Sequence, residues 1–97
     1  MNNYDIADKF SLLSKVMEIH GENAFKSKSY AIASFNIEKI PEQLSELDSE
    51  QIYSYKGIGE SIGRKIIEII QTGELSQLRE LIYKTPTGVL EMLLIKG

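Results

Sequence analysis

Gly57-Ile58-Gly59, followed at once by a helix-periodic run, constrains this chain more than any other stretch of it. A glycine tolerates positive φ and leaves its backbone bare, so two of them around one apolar residue can turn sharply and expose amide N–H groups. Ile58 between them would pin the turn to a core. The next helix begins at about Glu60, and its first N–H groups have no partner inside the helix. Turn and helix start together make a small cradle suited to an anion, above all a phosphate. Before the turn, Ser49-Glu50-Gln51-Ile52-Tyr53-Ser54 reads as a short helix capped by Asp48 or Ser49. Helix, Gly-x-Gly turn, helix is a helix-hairpin-helix pattern; the alternative is an ordinary connection that happens to use two glycines. Gly63 sharpens the first reading. A glycine inside a helix costs about 1 kcal/mol relative to alanine, and close helix–helix approach is a reason for it.

The flanking sequence reads as helices throughout. Residues 3–20 place Ile6, Phe10, Leu13, Val16 and Met17 at three- and four-residue steps, with Asn2 or Asn3 as cap, Asp5 at the positive end of the helix dipole, and Gly21 as the stop. Residues 24–40 form a second helix whose packing side is assigned to Phe25, Ala31, Ile32, Ala33 and Phe35. Lys26, Lys28 and Tyr30 cluster in its first turns, and Pro41 ends it. Glu42–Leu47 is a short helical turn. Glu60–Thr72 buries Ile62, Ile66, Ile69 and Ile70 before Gly73, and residues 75–83 form another helix. After Thr85-Pro86-Thr87-Gly88 comes a last helix at about 88–95. Its closing Ile95-Lys96-Gly97 repeats the order of Tyr55-Lys56-Gly57, as if the chain stopped on the first glycine of a second hairpin. The expected architecture is one all-α domain, 1–97, of five or six short helices.

Charge limits the partners. The net charge is −3: residues 1–50 carry five Lys against nine acids, −4, and residues 51–97 six basic against five acidic, +1. Lys56, Arg64 and Lys65 surround the hairpin, so nucleic-acid binding would be local, with few phosphates neutralised. Without cysteine there are no disulfides or thiolate metal sites. No apolar run approaches the roughly 20 residues of a membrane span, and the N-terminus has no secretion pattern, so a cytoplasmic monomer is expected. His20, the single histidine, sits at a helix end and suits no metal cluster.

With these residues placed, the chain resembles the N-terminal helix-hairpin-helix domain of the family X DNA polymerases. The likeness is to the bacterial type, whose polymerase core precedes a polymerase-and-histidinol-phosphatase module. Asn3–Leu13, Gly21–Tyr30 (GENAFKSKSY), Ile37–Leu47 and Gly57–Gly73 (GIGESIGRKIIEIIQTG) carry it, and Thr87–Leu93 resembles the lead-in to a second hairpin. The resemblance implies a polymerase-β-like domain of a repair polymerase that grips the DNA backbone at gaps, nicks or single strands. It implies amide contacts to phosphate at Gly57, Gly59 and Ser61, and a 5′-phosphate pocket at Lys26 and Tyr30. It also implies a monovalent cation, Na+ or K+, on the carbonyls of Tyr53, Tyr55 and Ile58, with no other cofactor. Lys65 falls where some members place a Schiff-base nucleophile for removing 5′-deoxyribose phosphate. The remainder of a parent polymerase would carry the catalytic acids. Departures deplete the pocket: Lys56 stands in place of proline, Ser61 of a lysine, Phe25 of a histidine, Gln77 of a basic residue, and Glu60 adds a negative charge. From another class, the competing reading is a protein-interaction module using the acidic surface and the apolar last helix.

Overall fold

Helix starts in this chain are set by short polar side chains that take up free amides. Asn2 accepts from the Asp5 amide at 2.9 Å while the Asp5 carboxylate accepts from the Asn2 amide at 3.2 Å, a reciprocal capping box. Asp48 and Gln51 repeat it at 2.9 and 3.0 Å. Asn23 accepts from the amides of Phe25 and Lys26. In the computed structural model, which describes residues 2–86 and 88, these caps open α1 (Asn3–Ile19), α3 (Ser49–Tyr53) and α2 (Ala24–Glu38). A single 3-10 turn, Leu44–Glu46, precedes α3; α4 (Glu60–Thr72) and α5 (Ser76–Tyr83) complete the order. The Glu68 carboxylate accepts from the Ser76 amide at 3.0 Å and so caps α5. The Ser76 hydroxyl first, and then this amide, hold the Glu68 carboxyl below its ordinary pKa, so their contribution is present above the ordinary value and is lost on acidification.

The described residues contain helices and no strand, as the all-α reading expects. The last helix expected at about 88–95, and the second hairpin it would open, fall outside the described residues apart from Gly88. No helix among the described residues is long and apolar enough to cross a membrane.

α1 is the central element, with α2, α4 and α5 packed on it. Its apolar stripe, Ile6, Phe10, Leu13, Val16 and Met17, is buried with Ile37, Leu44, Ile52, Ile66, Ile69, Leu78 and Leu81 in one core. The expected side of α2 holds at Ala33 alone. Phe25, Ile32 and Phe35 are 79%, 52% and 58% exposed, whereas Ser27, Tyr30, Ala33, Ser34 and Ile37 face inward. The reason is the fit against α1. Ser14 Oγ donates to the Ser27 carbonyl at 2.8 Å, Ser27 Oγ donates to the Ser14 carbonyl at 3.1 Å, and Ser34 Oγ donates to the Ala7 carbonyl at 2.8 Å. Small hydroxyls that satisfy each other and the facing backbone let two helices approach at no desolvation cost, and phenyl rings there would hold them apart. α2 also ends at Glu38 rather than residue 40, with Lys39 as its C-cap.

Of the two candidate caps of α1, Asn2 does the capping and Asn3 does something else. Asn3 is 3% exposed. Its Nδ2 donates to the carbonyls of Ile40 and Glu42 at 3.0 and 2.7 Å, and its Oδ1 accepts from the Leu44 amide at 2.9 Å. It ties the link ahead of the hairpin to α1. Asn3→Ala should therefore cost at least about 2 kcal/mol in urea unfolding, because it leaves buried backbone groups unpaired. A change of a few tenths of that would contradict the role.

Candidate nucleic-acid interface

The hairpin is held from below by one side chain and shaped by one glycine. Ile58 is 7% exposed and joins the core, as expected of the residue between the glycines. Its amide donates to the Tyr55 carbonyl at 3.1 Å, closing the turn. Gly57 takes φ +92°, a region L side chains rarely adopt, and a Cβ on it would come within 3.1 Å of Asn36 Nδ2 on α2. Gly59 differs. Its φ of −84° and ψ of −178° are extended, and a Cβ there would meet nothing within 4 Å. The fold needs Gly57 and leaves Gly59 free.

Gly59 is the N-cap of α4 and offers no side-chain acceptor. The first backbone bond back is from the Gly63 amide to the Gly59 carbonyl, at 2.8 Å. The amides of Glu60, Ser61 and Ile62 precede it and have no intrahelical acceptor. Gly57, Gly59, Glu60 and Ser61 are all exposed. Among the described helices α1, α2 and α3 have their own N-cap side chains, and α5 has Glu68; α4 presents bare amides to solvent. Close approach explains Gly63, because any Cβ there would collide with the Tyr53 ring of α3.

The charged residues are distributed unevenly around this end. Lys56 is exposed beside the turn. Arg64 pairs with Glu60 at 3.0 Å across one turn of α4, both side chains largely in water, 74% and 82% exposed. The expected negative charge of Glu60 at the cradle is thus partly offset, and a solvent-screened pair of this kind is weak enough to exchange for a phosphate. Lys65 is half-buried with Nζ 5.6 Å from the centre of the Tyr30 ring. Its charge also acts on Glu68. Arg64 therefore turns to Glu60 and away from Lys65.

Tyr30, expected in a phosphate pocket, is 3% exposed and packs its ring 6.1 Å from that of Phe10. Lys26 and Lys28 are exposed on the first turns of α2, but Asn23 already accepts from the Phe25 and Lys26 amides, so that helix start is capped from within. Lys65 and Tyr30 are thus brought together, whereas the amides beside Lys26 are spoken for. Of the three carbonyls expected to hold a cation, those of Tyr53 and Ile58 receive no backbone bond outside the helices, and that of Tyr55 receives one, from Ile58. Each keeps a lone pair for a hard cation. Burial, and then the Glu42 carboxylate, raise the Tyr55 hydroxyl above its ordinary pKa. His20 caps the end of α1 and lies 2.8 Å from Thr85 Oγ1, which itself donates to the Leu81 carbonyl, so the imidazole is structural. Asn36 and Glu42 were not legible beforehand, because both reach the hairpin through tertiary contacts that no local pattern announces.

A helix-hairpin-helix domain model matches residues 1–75. The chain belongs to the helix-hairpin-helix domain family. It is also similar to the DNA polymerase/3′-5′ exonuclease PolX of Bacillus subtilis (strain 168), 31% identical over 97 residues, all of this chain and 17% of that protein. The chain thus spans about a sixth of the length of that relative, within which the likeness supports a helix-hairpin-helix domain of a family X type polymerase.

The two hairpin glycines should separate in stability measurements. Gly57→Ala should lose about 1–3 kcal/mol, the cost of forcing a side chain into a sparsely populated backbone region. Gly59→Ala should stay within about 0.5 kcal/mol of the parent, as a substitution into open space does. Equal losses in urea unfolding would contradict the hairpin geometry.

Proposed function

We propose that this chain is a sequence-nonspecific DNA-binding module that grips the phosphate backbone at gaps, nicks or single strands, as part of a larger repair-type polymerase. The observation that carries the reading is the start of α4: exposed, uncapped amides behind a glycine whose missing side chain leaves open space. Backbone amides at a helix N-terminus bind phosphate and carry no base information. Gly57, Gly59 and Ser61 supply the amides, and Lys56, Arg64 and Lys65 the surrounding charge. Lys26 and Lys28 stand exposed on the neighbouring helix, with Tyr30 buried behind Lys65. Na+ or K+ on the Tyr53, Tyr55 and Ile58 carbonyls would bridge the hairpin to a phosphate oxygen. Family membership and the polymerase relative support the same reading. Lys65, half-buried beside the hairpin, is assigned to phosphate contact in this scheme, and removal of 5′-deoxyribose phosphate through the same amine is the lesser alternative.

Binding of a 5′-phosphorylated gapped duplex, followed by fluorescence anisotropy, tests the proposal. Gly59→Val should weaken it by about tenfold or more, because a branched side chain keeps the phosphate from charge-assisted amide bonds. The logarithmic salt slope of the parent should be shallow, about −2 to −4, for two to four phosphates neutralised. Unchanged affinity in a folded Gly59→Val would overturn the hairpin contact. Affinity that does not fall with salt would favour an apolar protein interface instead.

A further inference from the structure

Turning α2 so that its serines face α1 leaves a second face with no partner in the fold. Phe25, Lys28, Ile32, Phe35 and Lys39 fall within an arc of about 80° at 100° per residue, and all five are exposed. Ile32 and Phe35 are 52% and 58% exposed, and Lys39 Nζ stands 3.9 Å above the Phe35 ring. The face is cationic in a chain with a net charge of −3, and the one carboxylate of α2, Glu38, lies outside the arc. It is also continuous with the hairpin. Asn36, one step round the helix from Phe35, is the residue against which Gly57 is seated.

We propose that this face carries single-stranded DNA away from the hairpin, Ile32 and Phe35 meeting unpaired bases and Lys28 and Lys39 meeting phosphates. The inference rests on the hairpin reading above and extends it to a strand path. Apolar and aromatic groups interleaved with lysines suit a single strand, whose bases expose their faces, and not a duplex, in which those faces are stacked. From residue 25 to residue 35 the face runs about 15 Å at 1.5 Å per residue, room for a short run of unstacked nucleotides. A base stacking on this face of Phe35 displaces the exposed Lys39 ammonium from the ring, and the displaced charge stays beside that nucleotide.

Because the chain has no tryptophan, Phe35→Trp places a single reporter on the face. Its emission should be quenched saturably by oligothymidylate of about a dozen nucleotides in low salt, with the quenching reversed as salt rises. Phe35→Ala should weaken oligothymidylate binding by about fivefold or more, while leaving the affinity for a blunt duplex and the urea unfolding midpoint unchanged. If Phe35→Ala binds oligothymidylate as the parent does while Gly59→Val loses duplex affinity, the strand path is wrong and the hairpin contact stands. If Gly59→Val loses nothing, the hairpin reading fails and takes the strand path with it. A Phe35→Ala that alters sedimentation but not oligothymidylate affinity would make the face a protein contact and overturn the proposal.

Discussion

The buried side chain of Ile58 is the anchor on which the rest depends. It fixes a turn whose neighbour Gly57 must take positive φ, and the turn aims α4 so that its first amides face water. Gly63 under Tyr53 then sets how closely α3 and α4 pack. Had Ile58 been polar, the turn would lack a seat and the amides a fixed direction. A site made of main chain needs this kind of support, because its precision comes from packing and not from the reach of flexible side chains.

α2 shows how serines can decide a helix orientation that apolar residues would be expected to decide. Reading outward from Phe25, Ile32 and Phe35 gives a plausible packing stripe, yet these are the exposed residues. The reciprocal bonds between Ser14 and Ser27, with Ser34 on the Ala7 carbonyl, replace hydration on both helices while allowing close contact. No buried side-chain polar atom among the described residues is left without a partner, so the arrangement carries no penalty for unpaired groups. An orientation set by hydroxyls leaves aromatic surface in water, the surface along which the strand path is proposed.

Much of the fold was legible from periodicity and punctuation. α1, α4 and α5 have clean three- and four-residue stripes, and their bounds followed from Asn2, Gly73 and the run after Leu75. The hairpin was legible because Gly57 and Gly59 stand between two helix-forming runs and Gly63 follows inside the second. What escaped was tertiary: the clamp of Asn3 on residues 40–44 and the seat of Gly57 on Asn36. Each depends on where a second segment passes, which one-dimensional pattern does not encode. The distinct roles of Gly57 and Gly59 were hidden for the same reason, since identical residues differ only in the backbone angles imposed on them.

An acidic chain that binds a polyanion must do so through local geometry, because its net field is repulsive. The central claim is therefore that amides at the start of α4 meet phosphate directly. Titration of 5′-phosphorylated gapped DNA into the labelled protein at low ionic strength, followed through backbone amide chemical shifts, tests it most directly. The account predicts the largest, salt-reversible shifts at Gly59, Glu60, Ser61 and Ile62, with those at the capped starts of α1 and α3 unmoved. Shifts that leave residues 57–62 in place while DNA binds elsewhere would contradict it.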